Sequence, residues 1–261
     1  VGNYTISITD GSNCETTITT TITQPTEISP SISTSQNVLC FGENNGSLQV
    51  QASGGIGNFN FTLGTETNST GLFQNLIAGD YNITITDENN CESTLPVTIF
   101  QPDAIITSIS ASQNISCFGE NNGSLQVQAN GGAGNFNFTL GNETNSTGLF
   151  QNLIAGNYNI TITDENNCST ATSLEITEPT ELTISITTIN SASCNGQEGS
   201  IQVDAQGGVG NYQFSNGTTT NPTGLFENLA AGIYMISVTD DNNCTTSTEV
   251  DIMEPNALNI E

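Results

Sequence analysis

LIAGDYNITITDENNC, Leu76 to Cys91, is the stretch that decides the fold of this chain. Gly79 stands in a tight turn, where a positive φ carries no steric cost, and Tyr81 follows two residues later. Ile83 and Ile85 then alternate with polar residues, and this period of two predicts a half-buried antiparallel strand. An Asp-x-Asn-Asn turn ends the strand, and a cysteine follows it.

The stretch has three relatives, VGNYTISITDGSNC from Val1, LIAGNYNITITDENNC from Leu153 and LAAGIYMISVTDDNNC from Leu229. Prolines that follow Gln or Glu recur with the same period, at spacings of 77, 77 and 76 residues. We therefore predict three complete repeats, 26–102, 103–179 and 180–255. The C-terminal part of a preceding repeat is expected at 1–25 and the start of a next repeat at 256–261, as in an internal piece of a longer exported chain.

Short strands at regular spacing organise each repeat. In the first, the pattern predicts strands over 27–38, 47–52, 58–63, 72–76, 81–87 and 93–100, and the polar stretch GTETNSTG from Gly64 is left open between a loop and an additional short strand. The predicted fold is all-β, with tandem immunoglobulin-like antiparallel β-sandwich repeats of about 77 residues, disulfide-bonded, and a tyrosine corner at Tyr81. The residues predicted to face inward are Leu48, Val50, Phe59, Phe61, Leu72, Phe73, Leu76, Tyr81, Ile83, Ile85, Val97 and Ile99.

Charge excludes several classes of function. The 261 residues include 26 Asp and Glu but no Lys, Arg or His, so the formal net charge is −26. Phosphate binding needs Lys or Arg, which argues against nucleic acid and against an anionic membrane surface. Catalysis would lack a His base, a Lys nucleophile and an Arg to hold an oxyanion. We expect no enzyme, no nucleic-acid partner and no membrane insertion, since no apolar run reaches spanning length.

Seven cysteines alternate between two turns, one after the first strand of a repeat and one before its last. If four strands lie between them, both turns share one end of the sandwich, and the disulfides close within repeats. These pairs would be Cys40–Cys91, Cys117–Cys168 and Cys194–Cys244, with Cys14 paired outside the fragment. If GTETNSTG is a fifth strand, the turns lie at opposite ends, and pairing across a repeat junction is the alternative. We favour pairing within repeats, and disulfides in turn favour an extracellular location.

Calcium is the metal that the acidic turns could bind, because carboxylate and amide oxygens are its preferred ligands. The weak candidates are Asp87, Glu88, Asp164, Glu165, Asp240 and Asp241. The competing interpretation is a solvated turn whose Asp and Asn side chains cap their own backbone. We favour that interpretation and expect no cofactor beyond loosely bound calcium.

The order of motifs resembles a known family. From Cys40 the chain reads C-x-G-x-x-x-G-S, then GGxGN, AGxY, TDxxxC and a closing Gln-Pro. This pattern resembles the SprB repeat, found in tandem in very large surface adhesins of gliding Bacteroidetes. The resemblance covers essentially the whole chain and departs at Cys194, where the turn shortens to CNGQEGS.

The resemblance implies a filament on the bacterial cell surface, associated with the outer membrane, exported by the type IX secretion system and carried by the gliding motor. We therefore predict a structural shaft segment of an adhesin, whose partners are neighbouring repeats, an extracellular surface or polysaccharide through the full-length adhesin, and the gliding and secretion machinery. The alternative is a repeated carbohydrate- or protein-binding module that would use the GTETNSTG and GGIGN loops.

Overall fold

The computed structural model describes residues 1–193 and 198–255, and every regular element within those ranges is a β-strand. Strands β1 (Gly2–Thr9) and β2 (Glu15–Ile22) form an antiparallel hairpin. A set of seven strands then occurs three times. The predicted start of a next repeat, 256–261, and Cys194 lie outside the described residues.

The first set comprises β3 (Ser29–Gln36), β4 (Gly46–Ser53), β5 (Asn60–Leu63), β6 (Glu66–Asn68), β7 (Leu72–Leu76), β8 (Gly79–Thr86) and β9 (Glu92–Ile99). The second comprises β10 (Asp103–Gln113), β11 (Gly123–Gly132), β12 (Asn137–Leu140), β13 (Glu143–Asn145), β14 (Leu149–Leu153), β15 (Gly156–Thr163) and β16 (Ser169–Ile176). The third comprises β17 (Thr183–Asn190), β18 (Gly199–Gln206), β19 (Gln213–Ser215), β20 (Thr220–Asn221), β21 (Leu225–Leu229), β22 (Gly232–Thr239) and β23 (Thr245–Ile252).

Each set folds into two sheets. In the first set a three-stranded sheet runs β3-β4-β7 and a four-stranded sheet runs β6-β5-β8-β9, and the other sets repeat both orders. The strand pairs are antiparallel. Leu48 and Val50 from one sheet share a buried core with Phe61, Ile83 and Ile85 from the other. This arrangement confirms the predicted immunoglobulin-like sandwich.

One of the residues predicted to face inward does not. Leu72 is 40% exposed, whereas the next residue, Phe73, is fully buried. Successive side chains of a strand point to opposite faces, so these two cannot both face the core. Leu76 returns to the core face because Asn75 has a φ of 56° and the pairing of β4 with β7 shifts register there.

The predicted tyrosine corner is confirmed in all three sets. The hydroxyl of Tyr81 donates a hydrogen bond to the backbone carbonyl of Ile77 at 2.8 Å. The equivalent bonds of Tyr158 to Ile154 and of Tyr234 to Ala230 measure 2.8 and 3.0 Å. The phenol thus holds the turn that leads into the strand from which the fold was inferred.

The polar stretch left open by the sequence contains a strand. Glu66–Asn68 forms β6, which pairs with β5 through only three residue pairs. Five strands, β4 to β8, therefore separate the turn after β3 from the turn before β9. Because each strand reverses direction, an odd number places the two turns at opposite ends of the sandwich.

The described chain divides into two compact units. The first contains residues 1–105, 131–134 and 164–168, and its core is that of the first strand set. The second contains residues 106–130, 135–163 and the described residues from 169 onward. It contains the core of the third set, in which Ile201, Ile236 and Val238 are fully buried.

Candidate functional site: the cysteine-bearing turns

Two disulfides join turns of successive strand sets. Cys40 bonds to Cys168 and Cys117 bonds to Cys244, across 128 and 127 residues. The first bond lies within the first compact unit and the second within the second unit. Each connects the turn after the first strand of one set to the turn before the last strand of the following set.

The disulfides predicted within repeats are therefore wrong. The rejected pairs are Cys40–Cys91, Cys117–Cys168 and Cys194–Cys244. The physical reason is the short strand β6, which makes the number of intervening strands odd and separates the two turns of one set. The alternative of pairing across a junction is the one that the structure adopts.

Two described cysteines have no disulfide partner. Cys14 and Cys91 are both free and exposed. Cys91 occupies in the first set the place that Cys168 occupies in the second. The pairing of Cys14 outside the fragment stays a prediction.

A hydrogen bond accompanies each disulfide. The side-chain amide of Asn166 donates to the carbonyl of Leu39 at 2.9 Å, beside the Cys40–Cys168 bond. The amide of Asn242 donates to the carbonyl of Ser116, also at 2.9 Å, beside the second bond. The first Asn of the Asp-x-Asn-Asn turn therefore makes the same bond at both disulfides. Its acceptor is a backbone carbonyl, so the bond forms whether the residue is Leu39 or Ser116.

The first of the two turns is held by the end of its own repeat. The amide of Gly42 donates to the side-chain oxygen of Gln101 at 2.9 Å, and Gly119 donates to Glu178 at 2.8 Å. Gln101 and Glu178 are the residues before the periodic prolines. In the sequence these positions marked only the repeat junctions. Both carry a side-chain oxygen that can accept a hydrogen bond, and this recurrence was a signal that they hold a turn.

The second turn is built around a buried aspartate. Asp87 is only 3% exposed, and its Oδ1 accepts hydrogen bonds from the amides of Asn89 and Cys91, both at 2.9 Å. Its Oδ2 accepts from the amide of Ile56 at 2.9 Å, which fastens the GGIGN loop to the turn. These donors, foremost the Cys91 amide, hold the pKa of Asp87 below its ordinary value, against the effect of desolvation.

The copies of this aspartate make the same bonds. Asp164 accepts from the amides of Asn166, Cys168 and Ala133 at 2.8 to 2.9 Å. Asp240, also buried, accepts from Asn242, Cys244 and Val209 over the same range. The aspartate four residues earlier therefore positions Cys91, Cys168 and Cys244 alike.

The next acidic residue secures the other side of the GGIGN loop. Glu88 accepts hydrogen bonds from the backbone and side-chain amides of Asn58 at 3.1 and 2.8 Å. Asp241 does the same for Asn211 at 3.0 and 3.2 Å, and Glu165 lies close against Gly134. These carboxylates hold a second loop, whereas the competing interpretation of the calcium candidates expected a solvated turn that caps only its own backbone.

Metal binding has little geometric support in these turns. No group of three or more His, Cys, Asp or Glu side chains suited to a metal ion occurs within residues 1–193 and 198–255. Both oxygens of Asp87 already accept backbone hydrogen bonds. A calcium ion would have to compete with those donors, so the absence of a specific site stays our expectation.

The GTETNSTG loop is also satisfied internally. Asn68 accepts from the amides of Thr70 and Gly71 at 3.1 and 2.7 Å and donates to the carbonyl of Leu72 at 3.1 Å. Asn145 and Asn221 repeat this arrangement in the other sets. The asparagine common to the three loops therefore stabilises the turn and leaves few of its polar groups for a ligand.

An open cleft of about 390 Å³ lies beside the Cys117–Cys244 bond in the second unit. Phe118, Glu120, Glu181 and Asn243 are among its lining residues. Its two carboxylates make it acidic, in keeping with the rest of the chain.

Comparison with known proteins agrees with the repeats seen in the fold. Disulfide-linked immunoglobulin-like sandwiches in tandem are typical of repeat modules in extracellular surface proteins. The family model of the SprB repeat matches this chain at three tandem positions, residues 32–68, 109–145 and 186–219. No curated protein matches the sequence.

Several solved structures resemble the chain distantly. Protocadherin Gamma B2 extracellular cadherin domains 1–5 align at 10% identity and a TM-score of 0.30, over 99% of this chain and 73% of that one. The N-terminal eight Ig domains of Down Syndrome Cell Adhesion Molecule align at 12% identity and a TM-score of 0.32, over 97% and 38%. Domains 1–6 of surface layer protein SbsC align at 11% and 0.28, over 98% and 45%, so the chain spans less than half of the last two.

Within residues 1–193 and 198–255, no helix is long and apolar enough to cross a bilayer.

Proposed function

We propose that this chain is a structural segment of the shaft of a large secreted bacterial cell-surface adhesin filament, similar to the mobile gliding-motility adhesins in which SprB repeats occur. It acts extracellularly, without catalysis and without a bound cofactor. Its immediate partners are neighbouring repeats, and the filament meets surfaces or polysaccharides through the full-length adhesin. The secretion and gliding machinery are partners by the same resemblance.

The observation that carries this proposal is the bonding between successive strand sets. A module that binds a ligand by itself needs no covalent bond to its neighbour, whereas a load-bearing array gains from one. Both described disulfides join successive sets, and both are accompanied by the same asparagine bond. An extracellular location supports the persistence of such disulfides.

The alternative function, a repeated carbohydrate- or protein-binding module, receives less support. Its two candidate loops are held by internal hydrogen bonds of Asn68, Asp87 and Glu88. Within the part of the chain that the structure describes, no buried side-chain polar atom lacks a partner. A glycan array probed with the purified chain addresses this alternative, and reproducible binding of one glycan class would favour it.

The shaft role is tested by electron microscopy with an antibody raised against the chain. On cells of the source organism, we expect label at many points along extracellular filaments. Label at filament tips alone would support the binding module instead. Label confined to the cell interior would overturn both proposals.

A further inference from the structure

The two disulfides enclose overlapping loops. Cys117 lies inside the loop closed by Cys40 and Cys168, and Cys168 lies inside the loop closed by Cys117 and Cys244. Disulfides within repeats would instead have closed separate loops, one after another. The overlap therefore changes the covalent topology of the array as well as the partners of each cysteine.

Three backbone segments connect the two disulfides in parallel. They run from Cys40 to Cys117, from Cys117 to Cys168 and from Cys168 to Cys244, with lengths of 77, 51 and 76 residues. The middle segment contains β11 to β15 and runs between the disulfides in the opposite sense to the other two. Any one segment is enough to keep the ends of the chain joined.

We propose that these overlapping disulfides make the chain a redundant tether, in which each repeat junction is crossed both by the peptide backbone and by a disulfide. Tension that enters at Cys40 passes through the first bond to Cys168. It then passes through the second strand set to Cys117 and leaves through the second bond at Cys244. The junction near Pro102 and the junction near Pro179 lie on parallel paths and share the load.

The tether also limits extension, because the shortest segment becomes taut first. With both disulfides intact, the fully stretched distance between Cys40 and Cys244 is roughly 180 Å at ~3.5 Å per residue. Loss of either disulfide leaves a shortest path of 76 or 77 residues, or roughly 270 Å. Loss of both disulfides leaves only the continuous backbone between Cys40 and Cys244, whose fully stretched length is roughly 710 Å. The two losses are therefore strongly non-additive.

This inference deepens the proposed function, since a redundant tether matters to a chain under tension. It rests on the shaft role for its biological meaning. Its physical content depends only on the pairing of the four cysteines. Failure of the shaft role would appear in the antibody labelling, whereas failure of the tether appears in the stretching experiment below.

Single-molecule stretching of the 261-residue chain, held by tags at its termini, tests the tether. The parent carries Ser at positions 14, 91 and 194 to prevent exchange, and its disulfides are verified by peptide mass spectrometry before pulling. Three variants are compared with it: C40S/C168S, C117S/C244S and the variant with all four changes. Because the measurement is made at full extension, the result does not depend on how stably each variant folds.

Each pair of substitutions alone should lengthen the stretched parent by roughly 90 Å, and all four together by roughly 530 Å. Equal, additive increments from the two pairs would overturn the proposal, as would a parent as long as the four-fold variant. Reduction of the parent should reproduce the length of the four-fold variant, and a shorter reduced chain would overturn the proposal, because a link that resists reductant would then limit the extension.

Discussion

The side-chain amide of Asn166 lies 2.9 Å from the carbonyl oxygen of Leu39, although 127 residues separate them in the chain. The bond is repeated between Asn242 and Ser116 across 126 residues. In both places it lies beside a disulfide, so the Asp-x-Asn-Asn-Cys turn contributes an amide and a sulfur to the same contact.

Replacement of this asparagine should loosen one disulfide selectively. In Asn166→Ala the lost hydrogen bond costs about 1 kcal/mol, so reduction of Cys40–Cys168 at limiting reductant should become about fivefold faster. Peptide mass spectrometry measures both disulfides in one sample, and Cys117–Cys244 should keep its rate. Asn89→Ala, at the exposed equivalent position of the first set, is the matched control. Equal rates in Asn166→Ala and the control would show that the amide does not stabilise the contact.

A single backbone cut between repeats should leave the oxidised chain in one piece. The chain has no Lys or Arg, so Phe100→Arg creates one trypsin site in the junction, at a side chain that is 64% exposed. After digestion in denaturant with free thiols blocked, the product should migrate as one species without reductant and as two with it. Disulfides within repeats would instead release two fragments under both conditions.

The control for this cut lies outside the disulfide-bonded region. Ile22→Arg places the site before Cys40, at a side chain that is 53% exposed. Its N-terminal fragment should be released with or without reductant. Retention of that fragment in the absence of reductant would reveal a bond to Cys14 that the structure does not contain.

The first glycine of the GGIGN loop should not tolerate a side chain. Gly54 has a φ of 81°, and a Cβ there would lie 2.0 Å from the backbone carbonyl oxygen of Glu27. We expect Gly54→Ala to lower the free energy of unfolding by ~3 kcal/mol or more. Hydrogen exchange measures this loss, because the amides of β3 and β4 should then exchange faster. Gly64→Ala separates backbone strain from the clash, because Gly64 has a φ of 61° and open space around it. That control should cost about 1 kcal/mol, and equal costs would argue against the clash.

Acid should remove the contribution of the Asp87 carboxylate to the stability of the fold. The pKa of this group is lowered in the folded chain, foremost by the Cys91 amide, so its contribution is complete above its ordinary pKa of 3.8. The contribution is lost as the pH falls through the lower folded value. Asp87→Asn should therefore lower the urea midpoint at pH 7 and have a progressively smaller effect as the pH falls below 3.8. Glu92→Gln, an equal change of charge at an exposed site, should change the midpoint little at either pH. A penalty for Asp87→Asn that does not change with pH would contradict this assignment.

Salt should stabilise the chain without a specific requirement for calcium. A net charge of −26 with no basic side chain repels itself, and mobile ions screen that repulsion. The urea midpoint should rise with sodium chloride concentration. At matched ionic strength, millimolar calcium should add only a gradual, unsaturated increase. A saturable increase that Asp87→Asn or Glu88→Gln abolishes would instead establish a calcium site.

The strands and their turns could be predicted from local patterns. Alternation of Ile83 and Ile85 with polar residues, and the position of Tyr81 after its turn, depend on interactions within a few residues. The structure confirms the sandwich and the tyrosine corner at these positions. Leu72 was placed wrongly because two adjacent apolar residues cannot both face the core, and the positive φ of Asn75 then brings Leu76 to the same face as Phe73.

The disulfide partners were decided by tertiary structure alone. Each cysteine lies in a turn, and its local sequence predicts the turn but not the turn that it meets. The strand that reverses the geometry, Glu66–Asn68, has three residues and no apolar side chain, so periodicity could not reveal it. One such strand changes an even count to an odd one and moves Cys91 to the other end of the sandwich from Cys40. Cys40 therefore bonds to Cys168 of the following set, because contact between turns depends on the path of the whole chain.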